Sequence, residues 1–383
     1  MNRTLGTLAL LALPCISYGQ FTTHTIASDL TFGYQVLAAD LNLDGRPDVI
    51  GLGAQRTELF WFENPSWEAH VIARDVPGMI NLDAIDIEGD AVPEIALAFG
   101  FSTNPAQSEG NIAILRHTGD PTELWQLTEI DAVPASHRIR WGDVDGTGSP
   151  ILVNAPILHG DAAGFEDPDR LPTPLVSYRP DGFAPQLITG ENEGVVHGLL
   201  LADLDQNGRD EVITAGRLGI HAHTPASDGS WSRERLATGA PGSYPDGGSS
   251  DLDTGQLDGK PFLAAIEPFH GNEVVVYRSA DNGWQRQVID TELVNGHSLL
   301  VADLSGDGNG EIIAAGTRGP KNLYMYRATD PRGDRWERTI IDDSIAANSC
   351  VAADLNDSGH LDVICIDNTA PFEIRWYENT GDW

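Results

Sequence analysis

Short apolar runs alternate with acidic turns along most of the chain. The first clear example is the nine-residue segment 40–48, which lies between the apolar runs 36–39 and 49–52. Apolar runs of this length predict strands, and Asp, Asn and Gly at close spacing predict a turn between them. The segment begins like the calcium loop of helix–loop–helix proteins, but its last acid comes at the ninth position and its flanks are not helical. We therefore predict a hairpin with an acidic turn.

The same nine-residue pattern recurs through the chain. Segments starting at 40, 203, 303 and 354 are complete, those at 86 and 143 are weaker, and the one at 254 keeps mainly the turn. The pattern therefore repeats roughly every 50 residues, which in a β-rich chain predicts the blades of a propeller.

A second landmark fixes the number of strands in each repeat. After each of the first six acidic turns, an aromatic residue precedes an aliphatic one by five positions, as in Trp67 and Ile72, and this pair marks an outer strand. The last repeat lacks it, but Phe21 and Ile26 near the beginning of the chain have the same spacing. We predict an all-β, seven-bladed β-propeller of four-stranded antiparallel blades over residues 20–383, closed by the N-terminal strand in the last blade.

Residues 1–19 have the features of an export signal. A basic Arg3 precedes an apolar run at 8–13, and the small residues Ser17 and Gly19 follow. We expect a soluble protein that is secreted, either outside the cell or into a periplasm. No later apolar run is long enough to span a membrane. Cys350 and Cys365 flank the last acidic turn, and both a disulfide and two buried thiols are compatible with that spacing.

The formal net charge is −34, which argues against nucleic acid and anionic membranes as partners. The charge does not exclude an acidic glycan, because cations bound in the turns would neutralise many of the acids. We expect a monomer with structural Ca²⁺, which could also bind in the central funnel, and no organic cofactor. The alternative for the turns is that their side chains cap their own backbone without an ion. The predicted calcium ligands are Asp40, Asn42, Asp44, Asp48, Asp203, Asp205, Asn207, Glu211, Asp303, Ser305, Asp307, Glu311, Asp354, Asn356, Ser358 and Asp362.

The residues six positions before each acidic turn form another regular set, which we call the ring positions. In a propeller they lie on the rim opposite the acidic turns, at the mouth of the central channel, which we call the funnel. The ring positions are Tyr34, Ile80, His137, His197, Gly248, His297 and Asn348. Loops of the same rim add Arg56, His159, Arg217, Glu267, His270 and Arg318, and Arg138 follows the first ring histidine.

Imidazole and guanidinium groups at one opening suit an anionic sugar. Arginine pairs with a carboxylate, and a neutral imidazole can remove the adjacent proton. We predict four catalytic residues, with His137 or His197 as the base and His270 assisting it. Arg217, the fourth, holds a uronate carboxylate together with Arg318. For each residue taken singly, the alternative is a structural role. The predicted substrate-binding residues are Tyr34, Arg56, Arg138, His159, Glu267, His297, Arg318 and Asn348.

The acidic turns resemble the FG-GAP and VCBS repeats of integrin α-chain propellers and of many secreted proteins. Segments 137–143, 264–272 and 316–320 resemble propeller lyases that cleave rhamnosyl-glucuronate linkages, and also the propeller domain of aldos-2-ulose dehydratase. The resemblance implies a carbohydrate lyase with its site in the funnel mouth. Our main hypothesis is β-elimination on a uronate-containing polysaccharide or oligosaccharide. The alternatives are a sugar dehydratase and a propeller that binds glycan or protein without catalysis.

Overall fold

The computed structural model describes residues 17–166, 171–280 and 283–383, and these residues form seven antiparallel sheets arranged as the blades of a propeller. The predicted fold class is confirmed. Most of the predicted signal, residues 1–16, lies outside the described residues. The helical element of the described chain is one 3₁₀ turn, Pro105–Gln107. No helix in the described ranges has the length and hydropathy needed to cross a membrane.

The strands follow one another from the centre of the propeller outward in each blade. Blade one consists of β3 Gly33–Ala39, β4 Asp48–Gly53, β5 Leu59–Glu63 and β6 Glu68–Ala73. Blade two consists of β7 Asn81–Ile85, β8 Glu94–Phe99, β9 Asn111–Arg116 and β10 Gln126–Ala132. Blade three consists of β11 Ser136–Gly142, β12 Ile151–Pro156, β13 Leu175–Tyr178 and β14 Pro185–Thr189. Blade four consists of β15 Val196–Ala202, β16 Glu211–Gly216, β17 Gly219–Pro225 and β18 Trp231–Ala237. Blade five consists of β19 Leu252–Leu257, β20 Lys260–Glu267, β21 Glu273–Ala280 and β22 Gly283–Asp290. Blade six consists of β23 Gly296–Ala302, β24 Glu311–Gly316, β25 Leu323–Ala328 and β26 Trp336–Asp342.

Blade seven joins the two ends of the described chain. It consists of β27 Ala347–Ala353, β28 Asp362–Asp367, β29 Ile374–Asn379 and the N-terminal β2 Phe21–Ala27, with the short β1 Ser17–Tyr18 at its outer edge. The register places His24 opposite Trp376 and Thr22 opposite Glu378. This pairing confirms the predicted closure of the ring by the N-terminal strand.

The second strand of each blade is apolar because it is covered on both faces. Every residue of β4, β8, β12 and β16 is buried. Side chains from adjacent blades make up each core cluster; for example, Trp61 of blade one packs with Leu97 and Leu115 of blade two. Strands buried on both faces read as continuous apolar runs, whereas the outer strands are mostly polar and partly exposed.

The acidic turns are held by hydrogen bonds from their own backbone. Asp40 accepts from Gly45 N at 2.9 Å, and buried Asp48 accepts from Leu41 N at 3.0 Å and Asn64 N at 2.9 Å. Equivalent bonds occur in the turns that begin at Asp203, Asp303 and Asp354. This is the geometry of the capped-turn alternative, and the same oxygens would serve a cation, so calcium binding stays a prediction.

Two further features of the turns bear on the sequence predictions. The turn that starts at 254 is a tight hairpin in which Leu257 pairs with Lys260. Cys350 and Cys365 lie opposite each other on β27 and β28 and form a disulfide, with Cα atoms 4.2 Å apart. Of the two alternatives left open for these cysteines, the structure has the bridge.

Candidate functional site

Five of the inner strands carry a β-bulge at the same place. The register skips the second residue of β3, β11, β15, β23 and β27. A bulge locally redirects a side chain, and bulges are common beside functional sites. The skipped residues are Tyr34, His137, His197, His297 and Asn348, which are five of the seven ring positions.

The three ring histidines meet at the centre of the funnel mouth. Ring centroids are 5.0 Å apart for His137 and His197, and 4.9 Å apart for His197 and His297. Tyr34 Oη lies 2.9 Å from His137 Nε2. His270, from the loop after β20, brings its Nε2 to 3.0 Å from His197 Nε2. The structure thus brings together one tyrosine and four of the predicted imidazoles.

Arg138 lies among these rings and is almost fully buried. Its Nη1 is 3.3 Å from His137 Nε2 and 3.4 Å from Tyr34 Oη, and its Nη2 is 3.5 Å from His197 Nε2. These contacts are long for hydrogen bonds, so the guanidinium group can exchange them for a better acceptor on a ligand.

The electrostatics of the site keep its imidazoles neutral. Burial holds the pKa values of His137, His197 and His297 well below the ordinary value, and the Arg138 cation lowers them further. Burial followed by the Arg138 charge lowers the pKa of His270 to about 4. At neutral pH, each ring therefore has a lone pair available for a proton or a metal ion.

Three of the imidazoles also have the arrangement of a metal site. Nitrogen atoms of His197, His270 and His297 lie within 4.8 Å of one another. Neutral imidazole is the donor that zinc and related transition metals prefer, and three such ligands leave a position open for substrate. His297 Nδ1 lies 2.9 Å from the carbonyl oxygen of Asn348, a contact that would fix its tautomer and leave Nε2 free as a ligand. These residues therefore fit a transition-metal cation better than calcium, which prefers oxygen ligands.

Below the histidines the central channel holds a charged group that the sequence analysis missed. A cavity of about 220 Å³ is lined by Asp83, Arg140, Asp251 and Asp253, with Tyr34, Arg138, His297 and Asn348 also contributing to its walls. Arg140 Nη1 donates to Asn81 Oδ1 at 2.8 Å, and burial raises the pKa of Asp253 to about 7. Asp83, Arg140 and Asp253 lie on inner strands and Asp251 immediately precedes β19, all within five positions after the ring. The period-two alternation of a strand was therefore the signal available in the sequence.

The remaining predicted site residues lie outside this group of rings. Arg217 Nη1 donates to Phe165 O at 2.8 Å and Glu166 Oε1 at 3.0 Å, and its guanidinium group lies 4.6 Å from the Phe269 ring. Phe269 stacks on His270 with centroids 4.4 Å apart, so Arg217 lies behind the site with a carboxylate partner of its own.

Arg318 is exposed, and its positive charge contributes to the low pKa of His270. Arg56 Nη1 donates at 3.1 Å to the carbonyl oxygen of Asp29, in the segment between β2 and β3, and His159 lies beside Asp161.

The expectation that Glu267 lies on the open rim is wrong. Its side chain is fully buried, bonds to Tyr277, and accepts from Arg286 Nε at 2.8 Å. Alternation along β20 explains this position, because Leu263, Ala265 and Glu267 share the face that packs toward blade four.

Comparison with known proteins gives two family matches. Residues 109–280 match the model of the aldos-2-ulose dehydratase β-propeller domain, and residues 303–365 match the FG-GAP-like repeat. The chain is similar to the propeller of aldos-2-ulose dehydratase. The curated aldos-2-ulose dehydratase of Phanerodontia chrysosporium is 24% identical over 390 residues, covering 88% of this chain and 43% of the relative.

The matches confirm the resemblance to FG-GAP repeats and to the dehydratase propeller. The segment similar to the dehydratase propeller, residues 109–280, includes His137, His197 and His270, whereas His297 lies beyond its end. The chain spans less than half the length of this curated relative.

Proposed function

We propose that the funnel mouth is the active site of a carbohydrate dehydratase, which removes water from a keto-sugar by β-elimination. The observation that carries the proposal is the convergence of Tyr34, Arg138 and four neutral imidazoles at one opening. The similarity to aldos-2-ulose dehydratase favours a keto-sugar over the uronate glycan of our main sequence hypothesis.

The residues divide into two groups with different tasks. His197, His270 and His297 would hold a transition-metal cation, and the chemistry that such a cation supplies is polarisation of a carbonyl oxygen. His137 lies outside that group of three and remains available for proton transfer. Arg138 can donate to the oxygen on which negative charge develops when the neighbouring carbon loses its proton.

His137 and Tyr34 can together complete the elimination. Neutral His137 removes the proton from the carbon beside the carbonyl, and Tyr34 donates its hydroxyl proton to the departing hydroxide, which leaves as water. The protonated His137 then returns a proton to the Tyr34 oxygen across their 2.9 Å contact. Both residues end in their starting state, and the substrate has lost one molecule of water.

A uronate-glycan lyase is the second candidate. Exposed Arg318, whose charge acts on His270, favours a ligand carboxylate at the edge of the funnel. Against this candidate, Arg217 is already paired with Glu166. Proton removal beside a carboxylate would use the same His137, so the two candidates differ in substrate rather than in the base.

The test is a substrate panel followed at the ultraviolet absorbance of the unsaturated product. We expect turnover of aldos-2-uloses, with little on acidic polysaccharides, and a loss of about 10²- to 10⁴-fold in rate for His137→Ala with the fold retained. Turnover of the polysaccharides alone would favour the lyase. No turnover of either class by zinc-loaded protein would contradict catalysis and favour a propeller that only binds its ligand.

A further inference from the structure

On the outer half of blade one, two carboxylates and an imidazole converge far from the ring positions in the blade. Glu63 and Glu68 are directly opposite each other on β5 and β6, and His70 is opposite Trp61. His70 Nε2 lies 2.9 Å from Glu63 Oε2, and the His70 ring stacks on Trp61 with centroids 4.5 Å apart. One ligand atom from each of Glu63, Glu68 and His70 lies within 4.8 Å of the other two.

Charge and orientation both favour a cation between these side chains. Like charges directly opposite each other on paired strands are destabilising, and a single imidazole can offset at most one of the two carboxylates. Asn42 Nδ2 donates to Glu63 Oε1 at 3.3 Å, which leaves Oε2 directed toward His70. A hydrogen bond of this kind, made by the oxygen that does not face the cluster, is how metal-binding carboxylates are oriented.

The distances suit a small transition-metal ion. With bonds of about 2.0–2.1 Å, neighbouring ligand atoms of a tetrahedral zinc site lie roughly 3.3 Å apart. The 2.9 Å separation between His70 Nε2 and Glu63 Oε2 would have to widen by only a few tenths of an ångström. Glu63 and Glu68 are partly or fully exposed, so an ion can enter and water can complete its coordination.

We propose that Glu63, Glu68 and His70 form a zinc-type metal site in blade one. The mixed nitrogen and oxygen ligands favour zinc or a similar transition metal over calcium. The proposal does not depend on the activity proposed for the funnel, since the two groups share no residue.

Blade seven supplies an internal comparison. His24 is opposite Trp376 and stacks on it at 4.5 Å, and His24 Nε2 lies 2.7 Å from Glu378 Oε2. Asn356 Nδ2 donates to Glu378 Oε1 at 2.9 Å, as Asn42 does in blade one. The residue opposite Glu378 is Thr22, where blade one has Glu68. The two blades therefore differ at the third ligand, and a variant can exchange that difference.

The experiment counts zinc bound to the full chain by equilibrium dialysis, with excess calcium present to occupy the oxygen-only turns. We expect Glu68→Thr, which gives blade one the blade-seven residue, to bind one zinc fewer than the parent. Thr22→Glu should bind one more. The same loss for Glu68→Thr in a His270→Ala background would show that the counted ion is not the funnel ion.

Cobalt substitution provides a second measurement that does not rely on stoichiometry alone. The visible absorbance of bound Co²⁺ should decrease in Glu68→Thr and increase in Thr22→Glu. An unchanged zinc count and cobalt spectrum in Glu68→Thr would overturn the site. No added equivalent in Thr22→Glu would refute the conclusion that the second carboxylate determines binding.

Discussion

Replacing Tyr34 by phenylalanine removes one hydroxyl from the funnel and leaves the aromatic ring in place. The lost contact is the 2.9 Å hydrogen bond to His137 Nε2, together with the longer 3.4 Å approach of Arg138 Nη1. Arg138 Nη1 remains 3.3 Å from His137 Nε2, so the imidazole keeps a donor. The variant therefore tests the proposed acid with little disturbance of the base.

Tyr34→Phe should have a small effect on thermal stability and a large effect on the rate of the reaction. One hydrogen bond contributes about 1 kcal/mol net, which in a chain of this length corresponds to roughly 1 °C in Tm. Loss of the group that protonates the leaving hydroxide should lower kcat by about 10² or more, with a small change in KM, because the proton moves only in the transition state.

Tyr324→Phe is the matched control. Its hydroxyl accepts a 2.7 Å hydrogen bond from Asn322 Nδ2 in blade six. We expect a similar small decrease in Tm and an unchanged kcat, measured by thermal unfolding and by the ultraviolet assay of the unsaturated product. A Tyr34→Phe protein whose kcat stays within about twofold of the parent would refute the role of Tyr34 as the acid.

Two predictions concern stability. Burial raises the pKa of Glu311 to about 7, so its contribution to stability is complete below its ordinary pKa and is lost as pH rises toward 7. Without calcium, the Tm of Glu311→Gln should therefore fall less than that of the parent between pH 5 and pH 7. Added calcium should raise Tm at pH 7 more in the parent than in the variant. The same dependence of Tm on pH in both proteins, or no effect of calcium, would contradict these expectations. Reducing the Cys350–Cys365 disulfide, whose residues are 15 apart, should lower the free energy of unfolding in urea by about 3 kcal/mol. An unchanged urea midpoint after reduction would contradict a stabilising role of the disulfide.

The sequence predicted the blades because their constraints are periodic. The acidic turns and the outer-strand aromatics both recur with the blade, and a blade is the smallest unit that can bury its apolar strands against copies of itself. The common offset of His137, His197 and His297 likewise predicted that they meet, since equivalent positions of a closed ring face one axis.

The parts of the site that could not be predicted depend on single contacts. Arg217 is paired by Glu166, which lies in a long loop of blade three that no repeat pattern describes. The sequence predicts Arg138 as a binding residue, but its position among the imidazoles depends on a bulge one residue earlier, because a one-residue change of register reverses the face of a side chain. The buried position of Glu267 follows from the alternation of side chains along β20, whereas the sequence pattern assigned this residue to a loop.

The bulges at the second residue of five inner strands separate the chemistry of the funnel from the stability of the blades. The skipped residue takes no part in the strand register, so the ladder on either side of it does not specify which side chain stands there. A propeller built in this way has positions around its axis at which the side chain can be substituted without changing the strand register. New catalytic or ligand-binding sets could arise at His297 or Asn348 by single substitutions, while the apolar clusters between the blades, which do not include these two residues, stay as they are.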